Sequence, residues 1–139
     1  MRVFLDSSAL LAASGSYTGA SRAVVDLAPK NRWTLISSAY CRAEVLRNLP
    51  KAGDGASDAF AREVAPNIRF VNDQVAMGNP LVYPIAKDRP VVITALAERA
   101  NVLLTLDRKD FHGKLGSQVY GMIIRTPGDW LAEILAGET

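Results

Sequence analysis

Short, nearly unbroken apolar runs recur along the chain, each separated from the next by a stretch with helical punctuation. They are RVFL at 2–5, WTLIS at 33–37, IRFV at 68–71, NVLLTL at 101–106 and YGMIIRT at 120–126. Strands that alternate with helices and carry apolar residues on both faces must be covered on both faces. That pattern predicts an α/β fold, a mainly parallel central sheet flanked by helices in three layers. Helices are expected from Ser7 through Ala13, over 19–28 before Pro29, over 39–48, over 56–65 between Gly55 and Pro66, over 90–100 and over 127–136. Ser37 or Ser38 would cap the third of them, with Ala39, Ala43, Leu46 and Leu49 as its apolar stripe. Residues 72–87, cut by Gly78, Pro80 and Pro84, are the least legible.

The chain has 139 residues, 49% hydrophobic and 22% charged, which suits one globular domain over 1–139 and argues against disorder. A net charge of +2 does not by itself announce a nucleic-acid partner. One cysteine, Cys41, excludes an internal disulfide, and one histidine, His112, leaves little material for a catalytic triad or a zinc centre. With no cationic leader and no apolar run approaching about 18 residues, the expected location is cytoplasmic, away from any membrane.

The acids then carry the argument. Asp6 ends the first strand directly after Val3, Phe4 and Leu5, and Asp107 ends the fourth. In a parallel α/β sheet, ligands bind beyond the carboxyl ends of the strands, near the point where strand order reverses. Glu44 lies in the helix after the second strand, Asp88 precedes an apolar helix, and Asp110 follows Asp107 by about one turn. Oxygen ligands with almost no imidazole or thiolate suit a hard cation such as Mg²⁺ or Mn²⁺. Simpler roles exist for each: Asp88 as a helix cap before Pro90, Glu44 as a surface partner of Arg47, Asp110 as a surface acid beside Lys109 and Lys114. Asp6 is hardest to explain so, because an acid at the tip of a buried strand needs a compensating partner.

These residues resemble a known family, the PIN-domain ribonucleases. VFLDSSALLAA at 3–13 is similar to the family's opening strand and helix, and SSAYCRAEVLRNL at 37–49 to the segment that supplies its glutamate. KDRPVVITALAERANVLLTLDRKDF at 87–111 resembles its aspartate, alanine-rich helix, apolar strand and Thr-x-Asp, and YGMIIRTPGDWL at 120–131 its closing strand and helix. Leu106 stands where many relatives have a small residue. The resemblance implies a PIN-like fold, with Asp6, Glu44, Asp88 and Asp107 as catalytic, metal-holding acids and Asp110 as an accessory. Ser8 and Thr105 become polar supports, and Arg42, Lys87, Arg89, Arg108 and Lys109 candidates for RNA phosphate contacts. It further implies an Mg²⁺- or Mn²⁺-dependent endoribonuclease of the VapC type, the toxin of a toxin–antitoxin pair, forming a homodimer and neutralised by a small antitoxin protein.

Other readings stay in view. A haloacid-dehalogenase-type phosphatase needs a second aspartate where Ser8 stands, and no glycine-rich phosphate loop is present. A PIN-like module that binds RNA or protein without cleaving, and a housekeeping RNA-processing nuclease, both remain compatible with the acids.

Overall fold

A computed structural model describes residues 1–74, 89–107 and 118–137. Its centre is the strand the sequence opens with. Arg2–Leu5 forms β1, in which Val3, Phe4 and Leu5 are fully buried. It lies between β2 (Thr34–Ser38) and β4 (Val102–Leu104), parallel to both, with Val3 opposite Leu35 on one side and Val102 on the other. β3 (Arg69–Val71) extends the sheet beyond β2. On the other side β6 (Met122–Arg125) joins β4 in parallel, and β5 (Gln118–Val119) closes the edge antiparallel to it. The order is therefore β3-β2-β1-β4-β6-β5. The chain moves outward from β1 through β2 to β3, then returns to place β4 on β1's opposite flank, so the order reverses between β1 and β4.

The two-residue period of each strand divides the core into two layers. Val3, Leu5, Leu35, Val102 and Leu104 face one way, onto α1 (Ser7–Gly15), α2 (Ala20–Asn31) and α6 (Pro127–Leu135). Phe4, Ile36 and Leu103 face the other way, onto Val91, Val92 and Ala95 of α5 (Arg89–Ala97). α3 (Ala39–Asn48) touches both layers, Cys41 entering the second and Val45 the first. Trp130 of α6 stacks at a tilt on Trp33, the ring centroids 4.7 Å apart.

Several expectations need correction. α2 does not stop before Pro29; it runs to Asn31, because a proline near the end of a helix removes a single hydrogen bond. Arg32 then closes the helix in the left-handed region (φ 58°) with its N–H on the Ala28 and Pro29 carbonyls. The stripe of α3 is Cys41, Val45 and Leu49, whereas Ala39, Ala43 and Leu46 are exposed. Ser38 is the cap of the two serines offered, its side chain accepting the Cys41 N–H. The helix expected over 56–65 is α-helical only over α4 (Ala56–Ala59), then widens into a π turn over Phe60–Val64. The last strand is half of a hairpin, β5 and β6 turning at Tyr120 and Gly121, both at positive φ as a tight two-residue turn requires. Of the least legible stretch, 72–87, all but 72–74 lies outside the described residues.

The first helix pair is braced to the π turn by Arg22. Its side chain is nine-tenths buried and donates to Asp26 at 3.0 Å and Glu63 at 2.6 Å, while the Tyr17 ring lies 4.9 Å from its guanidinium. The guanidinium's hydrogen bond holds the Glu63 carboxyl below the usual glutamate range. A depressed folded value means stability that is present above the unfolded pKa and lost as pH falls through the folded one. Glu63→Gln is therefore expected to lower stability at neutral pH, the gap to wild type closing as pH falls below the ordinary glutamate range. Urea unfolding followed across that range measures it; a gap independent of pH would show that the pair is not what Glu63 contributes.

Candidate active site at the carboxyl end of the sheet

Asp6 and Asp107 emerge beside each other because β1 and β4 are neighbours, and they do so where the strand order reverses. Asp6 is still tied to the sheet, its N–H on the Leu104 carbonyl at 3.1 Å, and it is already the N-cap of α1. Its Oδ1 accepts from the Ala9 N–H at 3.0 Å and from the Ser8 hydroxyl at 2.6 Å. The side chain is buried, only 5% exposed. Burial raises its pKa above the ordinary aspartate value against the opposing pull of hydrogen bonds from Ser8, Thr105 and Ala9, and the Asp107 charge pushes the same way. No cationic side chain contributes among the described residues.

The two hydroxyls expected as supports do meet there. Ser8 Oγ lies 3.4 Å from Thr105 Oγ1 and accepts the Leu106 N–H at 2.9 Å, while Thr105 Oγ1 accepts the Asp107 N–H at 3.0 Å. The loop after β4 is thus fastened to the first turn of α1, which fixes the backbone that carries Asp107. Leu106 turns outward, 48% exposed, so its bulk does not press on the acids. It borders an open, mostly apolar cleft of about 410 Å³ that runs from Ser8 along Leu11 and Ala12 to Ala52.

Glu44 reaches the same rim from α3. One carboxylate oxygen accepts from the Ser7 hydroxyl, and the other lies 3.4 Å from the Tyr40 hydroxyl. Ser7, expected only to start a helix, therefore bridges the Asp6 turn to Glu44. Its place beside Asp6 in the first turn was the available signal. Sequence reasoning also passed over Asp73, two residues beyond β3, whose carboxylate accepts the Tyr40 N–H at 3.1 and 3.3 Å. An acid just past a strand end was the criterion that singled out Asp6, and it applies to Asp73 as well. Ser37, the rejected cap, donates to the Leu5 carbonyl at 2.7 Å and pins β2 to the residue before Asp6.

The structure thus brings Asp6, Asp107, Ser8 and Thr105 together and sets Glu44 beside them through Ser7. Among the described residues, no group of three His, Cys, Asp or Glu side chains is gathered at metal-binding spacing. Asp88, Asp110, Lys87, Arg108 and Lys109 lie outside the described residues. Arg89 opens α5, and Arg42, exposed on α3, rests its guanidinium 5.7 Å from the Phe70 ring. The donor set fits a hard divalent cation. It consists of carboxylates and hydroxyls, and burial pushes the nearby Cys41 thiol up to about 11, leaving it neutral and a poor ligand. A buried acid whose ionisation is opposed by desolvation is what a bound cation would relieve.

The raised Asp6 value has the opposite sign to Glu63. A folded pKa above the unfolded one means that the metal-free fold binds the extra proton, so stability falls as pH rises through that window. Asp6→Asn keeps an Oδ1 to cap α1 and removes the charge, so in chelator at neutral pH it is expected to melt above wild type and lose this slope. Asp6→Ala, without the cap, should be about 1 kcal/mol less stable than the asparagine variant. Thermal melts of the three proteins in chelator test this; an asparagine variant no more stable than wild type would contradict a strained buried charge.

Two solved structures share this architecture. VapBC2 from Rickettsia felis, in a crystal structure bound to a DNA fragment from their promoter, matches with a TM-score of 0.61 and 15% identity over 91% of this chain and 98% of that one. PAE2754 from Pyrobaculum aerophilum matches with a TM-score of 0.61 and 21% identity over 98% of this chain and 90% of that one. No protein-family model matches the sequence, and no curated protein does. At such identity the likeness shows the fold alone, and there it agrees with the motifs read from the sequence: the chain has a three-layer α/β, PIN-like fold.

Proposed function

We propose that the protein is a divalent-metal-dependent endoribonuclease, a hydrolase of RNA phosphodiesters, and the toxin half of a toxin–antitoxin pair. The observation that carries this is the Asp6–Asp107 pair at the switch point of a PIN-domain sheet, with Asp6 buried and no cationic side chain of the described residues compensating it. The likeness to VapBC2 supports the nuclease class and a small protein partner.

In this reading Asp6, Glu44 and Asp107 hold the cation, with Asp88 and Asp110 completing the set. These residues would hold Mg²⁺ or Mn²⁺, whose chemistry there would be to lower the pKa of a water and to stabilise charge on the scissile phosphate. The chain's own part is orientation. Ser8 fixes one Asp6 oxygen, Thr105 fixes the backbone of Asp107, and Ser7 fixes one Glu44 oxygen. Arg42, Lys87, Arg89, Arg108 and Lys109 would hold the RNA backbone in register by phosphate contacts that carry no sequence preference.

A second reading, a PIN-like module that binds RNA or protein without cleaving it, is favoured by the absence of a closed acid cluster among the described residues. One assay separates them. Labelled RNA incubated with the protein in Mn²⁺ or Mg²⁺ should be cut, cutting should stop in chelator, and Asp6→Asn and Asp107→Asn should each lose about 100-fold or more. RNA bound but uncut under every metal condition would establish the binding module. A small protein encoded beside this chain should co-purify with it and suppress cutting; a nuclease with no such partner would be a housekeeping enzyme.

A further inference from the structure

We propose that Asp73 and Tyr40 act in series as positioning residues for Glu44. The inference deepens the proposed function and rests on Glu44 being one of its metal-holding acids. β3 pairs with β2 so that Val71 lies opposite Ser38, which delivers Asp73 to the end of the sheet where α3 begins. There the first turn of α3 is held from two strands. Ser38 of β2 accepts the Cys41 N–H at 3.1 Å, and Asp73 beyond β3 accepts the Tyr40 N–H through both carboxylate oxygens. A carboxylate at that place also meets the positive end of the helix dipole. Tyr40 and Glu44 are one turn apart on the same face, and the Tyr40 hydroxyl reaches Glu44 Oε2 while Ser7 holds Oε1. A glutamate has three side-chain torsions to settle, so fixing both oxygens from different elements decides where its charge points.

Ser38 alone would serve to start the helix. Asp73 adds a tie to the residue whose hydroxyl touches Glu44, and so couples the far edge of the sheet to the acid. The supports of metal-holding acids commonly change affinity by about 10–100-fold when removed.

Calorimetric Mn²⁺ titration of the full chain, with RNA cleavage in parallel, tests this. Tyr40→Phe, which keeps the ring and removes the hydroxyl, and Asp73→Ala should each weaken Mn²⁺ binding about tenfold or more. Asp73→Asn, which still offers an oxygen to the Tyr40 N–H, should restore most of it. The double variant Tyr40→Phe/Asp73→Ala should be little worse than the worse single one, because the two act in series. A fall in melting temperature with unchanged Mn²⁺ affinity in both single variants would reduce Asp73 to a helix cap and overturn the proposal. If Glu44→Gln binds Mn²⁺ as wild type does, the metal role of Glu44 fails and the proposal with it. If Glu44→Gln loses binding while Tyr40→Phe and Asp73→Ala do not, the proposal alone fails.

Discussion

The rest of the structure depends on β1 being paired in parallel on both sides and ending in an acid. A central strand has no free edge, so its three apolar residues are buried on both faces and the chain must leave the sheet directly at Asp6. The backbone turns there into α1, and the same side chain that would be costly as a buried charge becomes the cap of that helix. The return of the chain to place β4 on the second flank of β1 brings Asp107 alongside. Hydrophobic pairing in the sheet thus forces two like charges into proximity, and the polar side chains around them are arranged about that conflict.

Those side chains are chiefly hydroxyls. Ser8, Thr105, Ser7, Tyr40 and Ser37 all lie on or next to the segments that leave β1, β2 and β4. Each is short or ring-borne with few torsions, so each hydrogen bond fixes a position at small entropic cost. Their placement ties three loops to one another beyond the sheet, whereas the ion pairs of Arg2 with Glu98 and of Arg22 with Glu63 sit elsewhere.

Much of this is legible in the sequence alone. The strands β1 and β2, helices α1, α3 and α6, and the acids at strand ends all follow from apolar runs and their punctuation. What escaped was non-local or too short to leave a pattern. The two residues of β5 carry no periodicity, and their hairpin was signalled only by Gly121. The face of α3 was misjudged because Cys41 was not counted as apolar, although a free cysteine behaves as a small hydrophobe. Ser7 and Tyr40 gain their meaning only when α3 packs beside α1, a contact no spacing along the chain announces.

The choice of hydroxyls over cations has a chemical consequence. An arginine or lysine beside Asp6 would relieve its desolvation as Arg22 relieves Glu63, but it would also neutralise the charge and fill the space a ligand needs. A hydroxyl donates one hydrogen bond, orients one oxygen and leaves the net negative charge in place. Asp6 and Glu44 are both treated this way, while the acids the fold uses as braces, Glu63 and Asp26, receive guanidinium. The distinction separates acids that are finished once the chain folds from acids left with charge to spend on something outside it. On that criterion the carboxyl end of β1 and β4 is the part of the fold held away from its own electrostatic optimum, and it is there that the proposed function sets its cation and phosphate.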